Sequence, residues 1–398
     1  MKIKIALFAL FIGIIACNRG GGPVNDRKTI EVIDLLSEPE SEITSLSEIA
    51  TDIEYISLQT SSTSMIKFIR KVIISENRIY VQNNVEEILC FDKDGNFLYK
   101  LSKQGRGPGE YTFISDFSID SVKNTLIILD GAEILEYENT GSEFILMKSV
   151  KLNRPAPQKI DIIPGSNKVM LSIPPFKGSE PSLSIMINMD GDTVYYKPNC
   201  YQYERKIAKG GMVVVSANET VQYVHDNKIC FKEVFSDTVF YADKESDLFL
   251  PHLIFNSYGK MYPARAKSDP EFAKTNGDEY YYIANIMEVP RYLVYYYYFD
   301  KSRHIILYDK VSSHKFGISL DDHISEDIAG GPFFDPAGVT SGKFYSFVEA
   351  SSLIRHVSKE EFATVKVKNP ARKEELIKLA GSLEETDNPV LVVVIPKK

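Results

Sequence analysis

Tryptophan is absent from the 398 residues, cysteine occurs only four times, and no run of lysines and arginines stands anywhere in the chain. Each absence bears on function. A phosphate backbone is met by clustered cations that displace its counterions. Here 46 basic residues face 54 acidic ones, for a formal net charge of −8, so no nucleic-acid partner is expected. Long apolar runs are missing too: the stretch from Ile5 to Ala16 is shorter than the roughly 20 residues that an ordinary membrane-spanning helix needs. No CxxC spacing suggests a structural zinc site. None of the six histidines (His225, His252, His304, His314, His323, His356) stands in an HExxH pattern, and no GxSxG elbow marks a nucleophile. Each histidine therefore reads as a surface or internally satisfied residue.

What is present begins with an export signal. Residues 1–17, "MKIKIALFALFIGIIAC", carry two lysines, an apolar middle and a small residue before Cys17. The ending "IIAC" resembles the lipobox of bacterial lipoproteins, which implies lipidation of Cys17 and anchorage of the body to a lipid membrane. Residues 18–29, rich in glycine and polar side chains, read as a flexible leash, and residues 30–398 as one folded body. Asn18 after the anchor, by analogy with enterobacterial sorting, points to the outer membrane facing the periplasm. Once Cys17 is acylated, Cys90, Cys200 and Cys230 remain. Their odd number allows at most one bridge, and all three read as core cysteines.

The body contains internal repeats. "NRIYVQNNVEEILCFDKDGNFLYKL" starts at Asn77 and "NTLIILDGAEILEYENTGSEFILMK" at Asn124, with Gly95 and Gly141 standing 46 residues apart. A weaker third copy places Asn167 and Gly191 in corresponding positions. Each copy holds three strands joined by polar turns, and a further short strand precedes it: "KVIIS", "DFSID" and "KIDII". Four antiparallel strands at a period of about 40 to 50 residues define a β-propeller blade. A single blade leaves two faces and two edges bare, so blades must stack in a ring. The glycine-rich "GRGPGEY" (Gly105 to Tyr111) then carries the chain from the rim of one blade to the hub of the next.

"GRGPGEYTFISDFSID", "NTLIILD" and "EILEYENTGSEF" resemble the NHL-type repeat, with its glycine-rich opening and D-x-x-G-x-F close. With the lipobox, "FSDTVFYAD" (Phe235 to Asp243) and "DIAGGPFF" (Asp327 to Phe334), nearly the whole mature chain is similar to the six-bladed β-propeller lipoproteins abundant in Bacteroidetes. The resemblance implies an all-β fold of six four-stranded blades. The residues themselves show about three clear repeats, and regular spacing is lost beyond Cys200.

Later segments are read more coarsely. "YLVYYYYFDKSRHIILYDK" forms two strands joined at Asp300 to Arg303, and "KFYSFVEASSLI" another strand. The polar stretch from His252 to Val289 is expected to be a loop with some helix. Asn369 as N-cap and Pro370 at the first helical position start a short C-terminal helix, with Leu376, Leu379 and Leu383 on one face. The last strand, Val390 to Ile395, is expected to complete a blade with N-terminal material such as "KTIEVIDLL".

Candidate sites follow from the ring. Lys71, Asp116 and Lys159 open the three recognisable innermost strands and are expected at the channel mouth, where they can meet an anionic or polyhydroxylated ligand. The plainer alternative is that strand starts are simply solvated. Asp321, Asp322 and Asp327, with Glu326, offer hard oxygen ligands for calcium, or else form a solvated acidic loop. Among the tyrosines, Tyr295 and Tyr297 share one strand face and Tyr296 and Tyr298 the other, for stacking on a ligand or packing within the blade. Function is expected to be a membrane-anchored binding or protein-interaction module for a glycan, a peptide or an envelope protein. A metal-dependent propeller enzyme of lactonase or lyase type is the alternative.

Overall fold

Apolar alternation and turn residues divide the chain into short strands that pair in sequence order. The computed structural model describes residues 30–153, 156–205, 219–243, 247–319 and 323–398. Three strands precede the first blade: β1 (Glu31–Asp34), β2 (Ser41–Glu42) and β3 (Ala50–Ser57). Blade one runs outward as β4 (Ile69–Ser75), β5 (Arg78–Asn83), β6 (Glu87–Asp92) and β7 (Phe97–Leu101), and blade two as β8 (Asp116–Asp120), β9 (Thr125–Asp130), β10 (Glu133–Asn139) and β11 (Phe144–Lys151). Blade three comprises β12 (Lys159–Ile162), β13 (Lys168–Ser172), β14 (Ser182–Asn188) and β15 (Thr193–Pro198). Blade four comprises β16 (Thr220–His225), β17 (Lys228–Glu233), β18 (Thr238–Ala242) and β19 (Phe249–Asn256). Blade five comprises β20 (Tyr282–Glu288), β21 (Tyr292–Phe299), β22 (Ser302–Asp309) and β23 (His314–Gly317). Blade six holds β24 (Gly338–Thr340), β25 (Lys343–Val348) and β26 (Val390–Pro396), with β3 as its outermost strand. Each innermost strand contacts the next, and β24 contacts β4, so six blades close a ring around a central channel.

The three recognisable repeats are blades one to three, and "KVIIS", "DFSID" and "KIDI" are their innermost strands. Gly95, Gly141 and Gly191 occupy equivalent turns with φ of +88°, +95° and +91°, a conformation that side chains with a Cβ resist. The "GRGPGEY" segment lies between β7 and β8 and satisfies itself. The Glu110 carboxylate accepts from Gly107 N at 2.7 Å, and the fully buried Tyr111 donates its hydroxyl to Glu86 O at 2.6 Å. Gly109, at φ +77°, makes the reversal.

Ring closure differs in its strand from the expectation. β26 pairs antiparallel with β3, whose sequence is "ATDIEYIS". The "EVID" segment instead forms β1, a parallel fifth strand at the rim of blade four. β1 alternates one buried side chain among partly exposed ones, which suits an edge, whereas β26 is buried along most of its length and needs partners on both sides. Among the described residues five α-helices decorate the ring: α1 (Arg265–Ser268), α2 (Pro270–Asn276), α3 (Ala350–Val357), α4 (Glu360–Thr364) and α5 (Pro370–Ala380). α1 and α2 lie in the polar stretch, but its ends belong to β19 and β20. "ASSLI" is the start of α3 rather than strand, because Ala350 and Leu353, three apart, are its buried positions. α5 starts as its sequence indicates: Asn369 Oδ1 accepts from Arg372 N, and Leu376 is buried against the sixth blade's core.

Of the cysteines, Cys90 and Cys230 are buried and Cys200 is exposed, so the core assignment fails for Cys200; all three thiols are free. Cys200 follows β15, whose side chains lie on a blade rim. Tyr295 and Tyr297 stack with centroids 6.0 Å apart, and Tyr295 packs on Phe255 of the neighbouring blade. On the other face the Tyr296 hydroxyl bonds Pro336 O. Tyr295, Tyr296 and Tyr297 are therefore packing groups, whereas Tyr298 is exposed.

Candidate functional site

A cavity of about 1450 Å³ is lined by residues of all six innermost strands and the turns where they end, and extends outward to Tyr241, Pro251 and His252 of blade four and to Glu31 of β1. At its floor a chain of polar side chains links blades one to four, one blade handing on to the next. Lys71 Nζ, from blade one, donates to Asp116 Oδ1 at 2.9 Å and Phe117 O at 2.8 Å, and lies 3.6 Å from Asp161 Oδ1. Asp116 Oδ2 accepts from Ile160 N at 3.0 Å, fastening blade two to blade three. Asp161 Oδ2 accepts from Gln222 Nε2 at 2.8 Å, which reaches blade four. Burial alone would drive the Lys71 ammonium towards neutrality, but Asp116 and Asp161 outweigh it and raise its pKa. Burial pushes the Asp161 carboxyl up despite Lys71.

The structure thus brings Lys71 and Asp116 into direct contact, but Asp116 is buried and turned to an internal role. Lys159 lines the same cavity and forms no hydrogen bond or ion pair of its side chain among the described residues. Arg70 and Lys228 also line it without a carboxylate partner. Lys228 stands over the Tyr241 ring at 4.3 Å, and among the described residues the lining carboxylates without a cation partner are Asp226 and Glu31, the latter accepting from the Tyr308 hydroxyl.

Asp321, Asp322 and Cys17 lie outside the described residues. Asp327, from the same acidic segment, is engaged elsewhere: its carboxylate accepts from Ser47 N at 2.8 Å and Ser47 Oγ at 2.6 Å. Glu326 accepts from Ile328 N and Ala329 N at 2.7 Å each, so it organises the "DIAGG" turn.

A second polar cluster sits where blades four and five meet, and no motif announced it. Glu288 ends β20 with its side chain 1% exposed. Its Oε1 lies 2.8 Å from Lys310 Nζ and 3.3 Å from His225 Nε2. Its Oε2 lies 2.8 Å from His252 Nε2 and accepts from the Tyr223 hydroxyl at 2.9 Å. Burial would raise this carboxyl, yet the His252 bond, both imidazoles and Lys310 hold it down at about 2. Burial pushes His225 down and, with Glu288, pushes Tyr223 well above the ordinary phenol value. Burial also raises the Cys230 thiol. Cys230 Sγ, a His252 ring nitrogen and a Glu288 oxygen all lie within 4.8 Å of one another. His225 and Glu288 are the last residues of equivalent innermost strands. That equivalence was the available signal, hidden because the repeat spacing breaks down after Cys200.

Fold and channel together define a six-bladed β-propeller with a wide polar central cavity. The chain belongs to the DUF4934 family, a domain of unknown function, which matches residues 29–395. No curated protein sequence matches it. A solved structure of a Bacteroides fragilis protein described as exported is similar in fold, with a TM-score of 0.66 at 18% identity, covering 93% of this chain and 100% of that one. BamB from Moraxella catarrhalis gives a TM-score of 0.37 at 9% identity over 68% of this chain and 65% of its own. The WD40 repeats of RRP9 give 0.41 at 10% identity over 90% and 100%. No helix among the described residues is long and apolar enough to cross a membrane.

Proposed function

We propose that the protein is an exported, lipid-anchored binding module whose channel takes an anionic, polyhydroxylated ligand such as an acidic glycan. The observation that carries this reading is the set of cavity-lining cations, Lys159 foremost, that have no carboxylate partner among the described residues, in a chain of net charge −8. Unpaired charges on a water-filled concave wall keep their hydration until a complementary ligand replaces it, and charge-assisted bonds to carboxylates are the stronger kind. The cavity volume exceeds the 300 to 1,000 Å³ of ordinary small-molecule sites, which suits an oligomer better than a single sugar.

Anchorage through an acylated Cys17, in the outer membrane and facing the periplasm, is supported by the lipobox-like "IIAC". Export itself also fits the description of the Bacteroides fragilis protein of similar fold. The NHL-like "GRGPGEY" hinge fits a Bacteroidetes-type lipoprotein of this architecture. Thermal unfolding of the purified protein against acidic and neutral glycans and acidic peptides tests the binding reading. A ligand bound only by the folded state raises the melting temperature with its concentration. Acidic glycans are expected to do so and their neutral counterparts are not. Equal effects from both, or none from either, would overturn the proposal.

A further inference from the structure

We propose that Cys230 Sγ, His252 Nε2 and the Glu288 carboxylate form a site for a thiophilic divalent transition-metal ion, with Zn²⁺ as its representative. The inference is independent of what the channel binds. Three donors of different chemistry arrive from β17 and β19 of blade four and from β20 of blade five, and their ligand atoms lie within 4.8 Å of one another. Zinc takes nitrogen and oxygen at roughly 2.0–2.2 Å and sulfur at about 2.3 Å. Neighbouring donors of a tetrahedral site therefore stand roughly 3.3–3.7 Å apart. The 2.8 Å separation of His252 Nε2 from Glu288 Oε2 needs to open by about half an ångström or more.

His252 Nε2 reaches both carboxylate oxygens, at 2.8 Å from Oε2 and 3.1 Å from Oε1, and the Tyr223 hydroxyl donates to Oε2, so an ion enters as that hydroxyl and the His252 ring proton give way. Lys310 Nζ and His225 Nε2 approach Oε1, and they can hold the carboxylate in place while Oε2 turns to the metal. Partners of this kind orient a metal ligand from behind. Access is through the cavity that His252 and Glu288 line, with Cys230 buried behind them. The donor set of sulfur, imidazole nitrogen and carboxylate selects zinc or cobalt over calcium, which takes oxygen alone. Binding forms a thiolate–metal bond as the Cys230 thiol proton leaves to solvent. His252 shifts its ring proton to Nδ1 so that the Nε2 lone pair is free. One proton is released per ion, and nothing is oxidised or reduced.

The test uses the full chain, stripped with EDTA and titrated with Zn²⁺ by calorimetry and with Co²⁺ by optical absorption. One ion per chain is expected, with a thiolate-to-cobalt charge-transfer band. Cys230→Ser should remove the band. His252→Ala should weaken binding about 100-fold or more, and His225→Gln about 10- to 100-fold through lost orientation. His252 is partly exposed, so its variant remains a fair reading if Cys230→Ser fails to fold, with circular dichroism as the check. Failure of the native chain to bind either ion, or unchanged affinity in His252→Ala, would overturn the proposal.

Discussion

Lys71 is the residue on which the channel floor depends. Its ammonium meets Asp116 and Asp161, each at most 7% exposed in its side chain, so removing it strands two buried carboxylates. Breaking a buried pair from one side costs about 3–5 kcal/mol. Lys71→Met should therefore lower the unfolding free energy by about that much in urea denaturation, and adding Asp161→Asn should recover part of the loss. A fall below 1 kcal/mol would show that water reaches the pair. Lys159 has no such internal role, and Lys159→Gln should leave stability within about 0.5 kcal/mol. The sequence distinguished neither role. Lys71, Asp116 and Lys159 stood out alike as polar residues opening equivalent strands. Which lysine is paired depends on Asp116 turning inward and on Asp161, two residues deeper in its strand, where alternation alone cannot tell a channel-facing carboxylate from a solvated one. The Glu288 cluster was less legible still, since His252 comes from a rim strand and Lys310 from a turn.

Among the elements, α5 shows a short C-terminal helix tied to a distant strand. Arg372 Nε and Nη2 bond both oxygens of Asp52 on β3, at 2.9 and 2.6 Å. The Arg372 guanidinium, foremost, holds the Asp52 carboxyl below its ordinary value, although partial burial opposes it. A depressed carboxylate contributes stability above its unfolded pKa, near 3.9, and loses it as the pH falls through the lower folded value. Asp52→Asn should thus cost about 1 kcal/mol at pH 7, with the gap from the native chain closing below about pH 4. Melting temperatures of the two proteins across pH 3–7 check this, and a constant gap would contradict it. The helix itself was readable from Asn369, Pro370 and the leucine spacing, because caps and periodicity are local. Its partner strand was not, because Asp52 is 320 residues away and nothing local chooses between β1 and β3 as the closing strand.

For the whole molecule, closure is the decisive structural event. β3 and β26 join the two ends of the chain in blade six, and β26 pairs on both sides, with β3 and β25. Deleting residues 387–398 would bare both neighbouring strands and leave the ring one strand short. The truncated protein should lose its single cooperative transition and associate through open edges. A monomer with native melting behaviour would refute that. At the cellular scale, the proposed lipid anchor predicts that the native protein is recovered with the membrane and Cys17→Ala in the soluble envelope fraction; equal recovery of both would argue against the anchor.

The channel as binding site is the central claim, and one titration tests it most directly. The acidic glycan that most raises the melting temperature is titrated by calorimetry into the native protein and into Lys159→Gln. Loss of one charge-assisted bond should weaken binding by about 10-fold or more, with the fold intact. Equal affinity for both proteins would mean that the ligand binds elsewhere than the channel.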